Sequence, residues 1–276
     1  MSINVVFGSS GVIGSALYKI LKRKKNFIFY SNKKNKNFNS LNLNKCLKNF
    51  HNLNIDTCFF FASPRFVKKN FNKNSFKEFE WLKNVISNLK IKKLIYISSP
   101  SIFYKGNHFV GKNKLKCENY IKKNKKKLNF FQIWRPYNLV GQSNVLSDHF
   151  HNIAIKKMFT QSKKKFTFKG SANDQRGYSD VADFVKIMLA YSKSDITFIK
   201  NFGNRNIVKI STVIDLYNSY YEKIYKSKFK ANFLSKKTNV SKVTNGKNSV
   251  YTLKSSVSVL NKYIKNYLNE KKMLNL

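Results

Sequence analysis

The sequence predicts an α/β fold: a doubly wound parallel sheet followed by a smaller α+β region. Three observations predict it. Short apolar runs alternate with longer amphipathic stretches through the first half of the chain. The runs are rich in β-branched and aromatic residues and apolar on both faces, as parallel strands covered on both sides are. A glycine-rich turn joins the first run to the first helix-like stretch, and strands alternating with helices argue for a doubly wound sheet.

The strand-like runs are Ile3–Phe7, Phe27–Tyr30, Thr57–Ala62, Leu94–Ser98 and Phe130–Trp134. Between them, Ser15–Lys24 follows the glycine turn, and Ser75–Leu89 sets Phe76, Phe79, Leu82, Val85 and Ile86 on one helical face. Lys112–Lys125 carries Leu115 and Ile121. After Pro136 the rhythm changes. Helices are expected near 147–162, 179–193 and 211–225, short strands near 166–168 and 196–200, and then a lysine-rich tail. The division that follows is 1–138 for the sheet domain and 139–276 for the second region. No repeat and no Pro- or Gly-rich linker separates them, so the two are expected to pack as one body.

Composition narrows the class. With 42% hydrophobic residues, 25 Phe and 15 Tyr, the chain can build a core despite its charge. No apolar run reaches the roughly 18 residues of a membrane-spanning helix. Met1 leads straight into a strand-like segment, so the expectation is a cytoplasmic chain with no secretory signal. Cys46, Cys58 and Cys117 form no C-x-x-C pair and read as reduced thiols. No metal site is expected, since His149-Phe150-His151 is accompanied only by Asp148. The net charge of +42 invites a nucleic-acid reading. Only five basic residues are arginine, however, leaving 49 lysines scattered among many asparagines. Base and phosphate readers favour the arginine fork. The lysine excess fits an AT-rich coding bias or a general polyanion surface, and nucleic-acid contact beyond nonspecific charge is not expected.

Gly8, Gly11 and Gly14 stand at G-x-x-G-x-x-G spacing, after a strand and opening a helix. Glycine permits the tight turn and the close approach of a pyrophosphate, and the helix N-terminus offers free N–H groups. A glycine triplet can also be only a turn, but this strand–turn–helix context points to a Rossmann dinucleotide site. Gly8, Ser10, Gly11, Val12, Ile13 and Gly14 are its candidate residues. The second strand ends in Tyr30-Ser31-Asn32-Lys33-Lys34, where an acid would bind the adenosine ribose of NAD. The only acid in residues 1–77 is Asp56. Ser31, Asn32 and Lys33 therefore tolerate a 2′-phosphate, and the cofactor expected is NADP or NAD, leaning to NADP.

These residues resemble the NAD(P)-dependent epimerase/dehydratase family, the extended short-chain dehydrogenases that act mostly on nucleotide-sugars. The resemblance runs in order over nearly the whole chain. Ile55–Ser63 is similar to the family's fourth strand, which implies that Ala62 and Ser63 line the cofactor. Tyr96-Ile97-Ser98-Ser99-Pro100-Ser101-Ile102-Phe103 is similar to its fifth strand, implying Ser99 as the active-site hydroxyl, with Ser101 as the alternative. Trp134–Gly141 resembles the sixth strand, and Asn138 inherits a contact to the sugar-nucleotide diphosphate. Arg176-Gly177-Tyr178 resembles the Arg-x-Tyr motif, whose arginine binds the diphosphate. Arg176 can equally pair with Asp174 or Asp180.

One position departs from the family. Its Tyr-x-x-x-Lys motif, followed four residues later by an acid, aligns with Val110–Glu118, so that Lys114 and Glu118 fall in place and the tyrosine is Val110. In the family that tyrosine exchanges a proton with the substrate hydroxyl, and the lysine lowers its pKa and holds the ribose. Lys114 can still do the second. Tyr104 and His108 are near enough in sequence to replace the missing acid/base, or are plain loop residues. The resemblance implies a nucleotide-sugar epimerase, dehydratase or reductase in cell-surface polysaccharide biosynthesis, with a homodimer as a further expectation. The rival is a pseudoenzyme that binds the cofactor and serves a regulatory or partner-binding role. A third reading is a polyanion binder on the same scaffold.

Overall fold

A computed structural model describes residues 3–31, 39–40, 53–64, 77–103, 109–141, 150–160, 164–241 and 248–273. They form two compact units. The first is Met1–Pro136, Ser143–Val145 and Val181–Asn201; the second is Tyr137–Gln142, Leu146–Asp180 and Phe202–Leu276.

The first unit contains β1 (Ile3–Phe7), α1 (Val12–Leu21), β2 (Phe27–Ser31), β3 (Asn39–Ser40), β4 (Asn54–Phe60), α2 (Glu78–Asn88), β5 (Lys90–Ile97), a 3-10 turn at Pro100–Phe103, α3 (Phe109–Lys123) and β6 (Phe130–Pro136). The strands pair in the order β3-β2-β1-β4-β5-β6, with Phe198–Gly203 beside β6. The five pairings from β3 to β6 are all parallel. This is the doubly wound order that reverses direction next to β1, and such sheets bind ligands beyond the carboxyl ends of the strands at that point.

The strands are apolar on both faces because both are covered. Val5, Phe7, Cys58, Phe60, Leu94, Tyr96, Phe131 and Ile133 share one core cluster with Leu82, Val85 and Ile86 of α2 and Cys117 and Ile121 of α3. On the alternate positions, Trp134 meets Phe184, Tyr191 and Phe198 edge-on, at ring-centroid distances of 5.8, 5.4 and 5.1 Å. The helix Val181–Ser192 thus belongs to the first unit, although it comes after the expected boundary at 138.

Of the boundaries that differ from the expected ones, two have a clear physical reason. Helix α1 begins at Val12, three residues before the expected Ser15, because Gly14, having no Cβ, lets the first turn pack against the Gly8 carbonyl. Strand β5 begins at Lys90 rather than Leu94. Its Lys93 is buried, with the ammonium 2.7 Å from the Ser192 carbonyl and 2.8 Å from Asp195, so a lysine-rich stretch is strand after all.

The second unit is α+β. Gln175–Gly177 is the middle strand of three, antiparallel to Ile207–Lys209 and parallel to Val240–Ser241. Lys165–Phe168 and Lys230–Phe233 pair in parallel, as do Leu139–Val140 and Ser179–Asp180. Helix Ile210–Tyr225 matches expectation, whereas the lysine-rich tail proves to contain a helix, Ser256–Glu270. Its Val259, Leu260, Ile264 and Leu268 recur at helical spacing and are buried against Met158, Tyr217 and Tyr221. The lysines and asparagines between them form the outer face, and Ser255 caps the first turn through the Ser258 N–H.

The glycine turn depends on missing Cβ atoms. Gly8 has φ of 92°, and a Cβ there would lie 2.6 Å from the Ala62 nitrogen. A Cβ on Gly14 would lie 2.3 Å from the Gly8 carbonyl oxygen, whereas on Gly11 it would meet only that oxygen, at 3.4 Å. Gly14→Ala is therefore expected to lose about 1–3 kcal/mol in urea denaturation through overpacking against backbone, while Gly11→Ala stays within about 0.5 kcal/mol of wild type. Equal losses for the two would contradict this packing.

Candidate functional site

The turn sits at the carboxyl end of β1, between β2 and β4. The N–H groups of Gly8 and Ser9 both donate to the Tyr30 carbonyl at the end of β2, at 3.0 and 2.9 Å. Ser9 Oγ donates to the Val6 carbonyl and Ser31 Oγ to Ser10 Oγ, at 3.1 and 2.6 Å. Gly11 caps α1 without a side chain, and no acid lies in the first turn, where Val12, Ile13 and Gly14 begin the helix. A helix start with uncapped amides, no carboxylate and no side chain at Gly11 is suited to an anion. Asn32 and Lys33 lie outside the described residues. Asp56, the one acid of residues 1–77, stands near the opposite end of β4 and accepts the Thr57 hydroxyl at 3.3 Å. Ala62 follows β4 against Gly8, and the exposed Ser63 donates to Glu78 at 2.8 Å.

Beyond β4, two buried ion pairs flank α3. Lys114 is buried one helical turn before Glu118, so the two share a face. The Lys114 ammonium donates to Glu78 Oε1 at 2.6 Å and to the Ile97 carbonyl at 2.8 Å. Glu118, fully buried, accepts Arg135 Nε at 2.9 Å and its terminal nitrogen at 2.5 Å, and accepts the Ser98 hydroxyl at 2.5 Å. Glu78 was not a sequence candidate. The signal available was its isolation, as the first acid after Asp56 and the first residue of a periodic helix. Beside it, burial and then the Glu78 charge push the Tyr96 phenol well above its ordinary range.

The serine loop resolves into two different hydroxyls. Ser99 Oγ accepts the Ser101 N–H at 3.2 Å, which leaves its own proton available to donate. Ser101 Oγ is buried and has no partner among the described residues. Helix α3 is seated on this loop through Gly111, where a Cβ would lie 2.3 Å from the Ser101 carbonyl oxygen. That contact fixes the half-buried Val110 in the first turn of α3, one turn before Lys114. Tyr104 and His108 lie outside the described residues.

In the second unit, Arg176 lines a cavity of about 360 Å³ together with Phe150, Ile153, Phe166, Phe168 and Phe233. The Phe168 ring stacks on Phe233 at 5.6 Å and tilts against Phe150 at 5.0 Å. Neither acid that sequence offered to Arg176 takes it. Asp174 accepts the Asn239 N–H at 2.8 Å, and Asp180 pairs with Lys262 at 2.7 Å. Arg176 is therefore a cation beside an aromatic cavity, with no carboxylate in ion-pair range among the described residues. Burial pushes the neighbouring Tyr178 phenol up to about 12, against the opposing pull of Arg176. Asn138 adopts φ of 38° and donates to the Gly177 carbonyl at 3.2 Å and to Ser241 Oγ at 3.3 Å, so its amide ties strands together.

The sheet order and the glycine turn at its switch point define an α/β protein of the Rossmann class. The model of the NAD dependent epimerase/dehydratase family matches residues 4–197, and the chain belongs to that family. Among solved structures it is similar to the UDP-N-acetylglucosamine 4-epimerase from Methanobrevibacter ruminantium M1 in complex with UDP-N-acetylmuramic acid. Identity is 16% over 98% of this chain and 99% of that one, with a TM-score of 0.74. It is also similar to a mutant UDP-glucuronic acid 4-epimerase from Bacillus cereus, in complex with UDP-4-deoxy-4-fluoro-glucuronic acid and NAD. There identity is 20%, coverage 96% and 99%, and the TM-score 0.73. An NAD dependent NDP-hexosamine 5,6-dehydratase involved in tunicamycin biosynthesis is similar at 10% identity, with coverage of 96% and 98% and a TM-score of 0.72. At these identities the likeness is one of fold. No curated protein matches the chain.

The Arg135–Glu118 pair yields a direct test of the packing around α3. Arg135→Met strands a fully buried carboxylate, and breaking one side of such a pair costs about 3–5 kcal/mol. Urea denaturation should show a loss of that size; a change below about 1 kcal/mol would mean that Glu118 is hydrated.

Proposed function

We propose that the chain binds NADP or NAD at the Gly8–Gly14 turn and acts on a nucleotide-sugar as an epimerase, dehydratase or reductase, in the cytoplasm and in the supply of sugars for cell-surface polysaccharide. The observation that carries this reading is the glycine turn at the switch point of the sheet, with an uncapped helix start and no side chain at Gly11. The absence of a carboxylate from Ser31, Asn32 and Lys33 favours NADP. Both cofactors, when bound, supply reversible hydride acceptance.

The chain's own residues divide the remaining tasks. The first amides of α1 hold the pyrophosphate. Lys114 donates to a ribose hydroxyl, and the available proton of Ser99 orients a sugar oxygen. Arg176 offers a planar fork to the nucleotide diphosphate, and the Phe166 and Phe168 rings beside it suit a base. Asn138, committed to Gly177 and Ser241, shapes the strand that carries Arg176 and contributes to diphosphate binding by that route.

A second reading is favoured by Val110. Valine has no proton to exchange, so a chain that keeps the cofactor turn but lacks this group can serve as a dinucleotide-binding regulatory protein. The experiment compares wild type with Val110→Tyr on a panel of nucleotide-sugars with NADP(H) and NAD(H), reading product by mass spectrometry. Position 110 is half-buried in the first turn of α3. Restoring a positioned acid/base should raise turnover by about 10²–10³. Wild type that already turns over well would assign the proton to another group, with His108→Ala and Tyr104→Phe identifying it. If neither protein reacts while cofactor binding is firm, the regulatory reading holds.

A further inference from the structure

The lysine that the family uses beside its tyrosine has a different charge partner in this chain. Glu78 is buried at the start of α2 and accepts from four side chains. Lys114 and Tyr96 donate to Oε1 at 2.6 and 2.9 Å; Ser63 and Asn113 donate to Oε2 at 2.8 and 3.4 Å. The four donors come from three places: Ser63 from the loop after β4, Tyr96 from β5, and Asn113 and Lys114 from α3. A carboxylate gathered this way, at a helix start whose dipole favours it, is held in one position.

Lys114 would otherwise be a buried ammonium with no anion. Its other pair-forming neighbour one turn along, Glu118, is fully occupied by Arg135 and Ser98. An ammonium has three donors. Glu78 and the Ile97 carbonyl take two, and the third has no oxygen or nitrogen acceptor among the described residues, the ammonium standing also 5.1 Å from the centroid of the Tyr96 ring. The site lies on the β5 side of β1, whereas the adenosine half of a dinucleotide belongs on the β2 side. The ammonium thus stands on the side of the distal ribose.

We propose that Glu78 is a positioning residue: it replaces a tyrosine at 110 as the counter-group of Lys114 and sets the ammonium so that its remaining donor serves the distal ribose of the bound dinucleotide. This rests on the dinucleotide reading above and adds to it a residue and a role. In this chain the lysine is organised for cofactor binding by an acid from α2, independently of what occupies position 110.

The test uses NADH, which carries both riboses, and ADP, which carries the adenosine half alone. Affinities are measured by calorimetry for wild type, Glu78→Gln, Lys114→Met and the double variant. Glu78→Gln and Lys114→Met should each weaken NADH by about tenfold, the scale of one lost charge-assisted hydrogen bond, and leave ADP unchanged. The double variant, which leaves no lone buried charge and so guards against a misfolded single variant, should bind NADH no worse than Lys114→Met. Unchanged NADH affinity in Glu78→Gln would overturn the inference, as would a parallel loss of NADH and ADP or full additivity in the double variant. Wild type that binds neither ligand would instead overturn the dinucleotide reading itself, and the inference with it.

Discussion

The peptide of Gly8 is the point on which the carboxyl end of the sheet in the first unit depends. Its N–H is tied to Tyr30 at the end of β2, and its Cα leaves no room for a side chain against Phe61 and Ala62 after β4. Its carbonyl accepts the Gly11 N–H at 3.2 Å and would lie 2.3 Å from a Cβ on Gly14. Two neighbouring strands and the first turn of α1 are thus drawn onto one peptide unit. The start of α1 is held at the switch point by backbone contact, which no side-chain rearrangement can supply. Gly111 repeats the device where α3 meets the serine loop.

Charge is organised by a second constraint. The chain has 12 acids against 54 basic residues. Among the described residues four acids, Glu78, Glu118, Asp174 and Asp180, are buried. Each meets donors: Lys114, Arg135, the Asn239 and Ser171 backbone, and Lys262. Scarce carboxylates are used where a positive group or a strand end must be fixed inside, and the lysine surplus lies elsewhere. This is why net charge says little about function here. What matters is which few acids are inside and what they hold.

Much of the fold was legible because its signals are local. The first strand, the glycine spacing and the helix at 210–225 follow from residues that are neighbours in the chain. The beginning of β5 was not legible, because Lys93 reads as a surface residue until the Ser192 carbonyl, 99 positions away, is placed beside it. Helix Ser256–Glu270 was hidden by lysines on its outer face, although its buried stripe has regular spacing. The site divides in the same way. The turn could be read from spacing and Lys114 from its motif, but the Glu78 partner lies 36 positions from it. The aromatic cavity likewise gathers Phe150, Phe166, Phe168 and Phe233 from separate elements.

The central claim is that the first unit is a dinucleotide site built on the Gly8–Gly14 turn, and binding to wild type and Gly11→Glu tests it most directly. Gly11 is the one glycine of the three whose Cβ would clash with nothing, meeting only the Gly8 carbonyl oxygen at 3.4 Å, so this substitution leaves the backbone contacts in place and sets a carboxylate at the helix start. Calorimetry should show wild type binding NADPH more tightly than NADH, and Gly11→Glu binding neither, with its melting temperature nearly unchanged. Equal affinity of wild type for the two cofactors would contradict only the phosphate preference. A wild type that binds neither, or a Gly11→Glu variant that binds as well as wild type, would contradict the site.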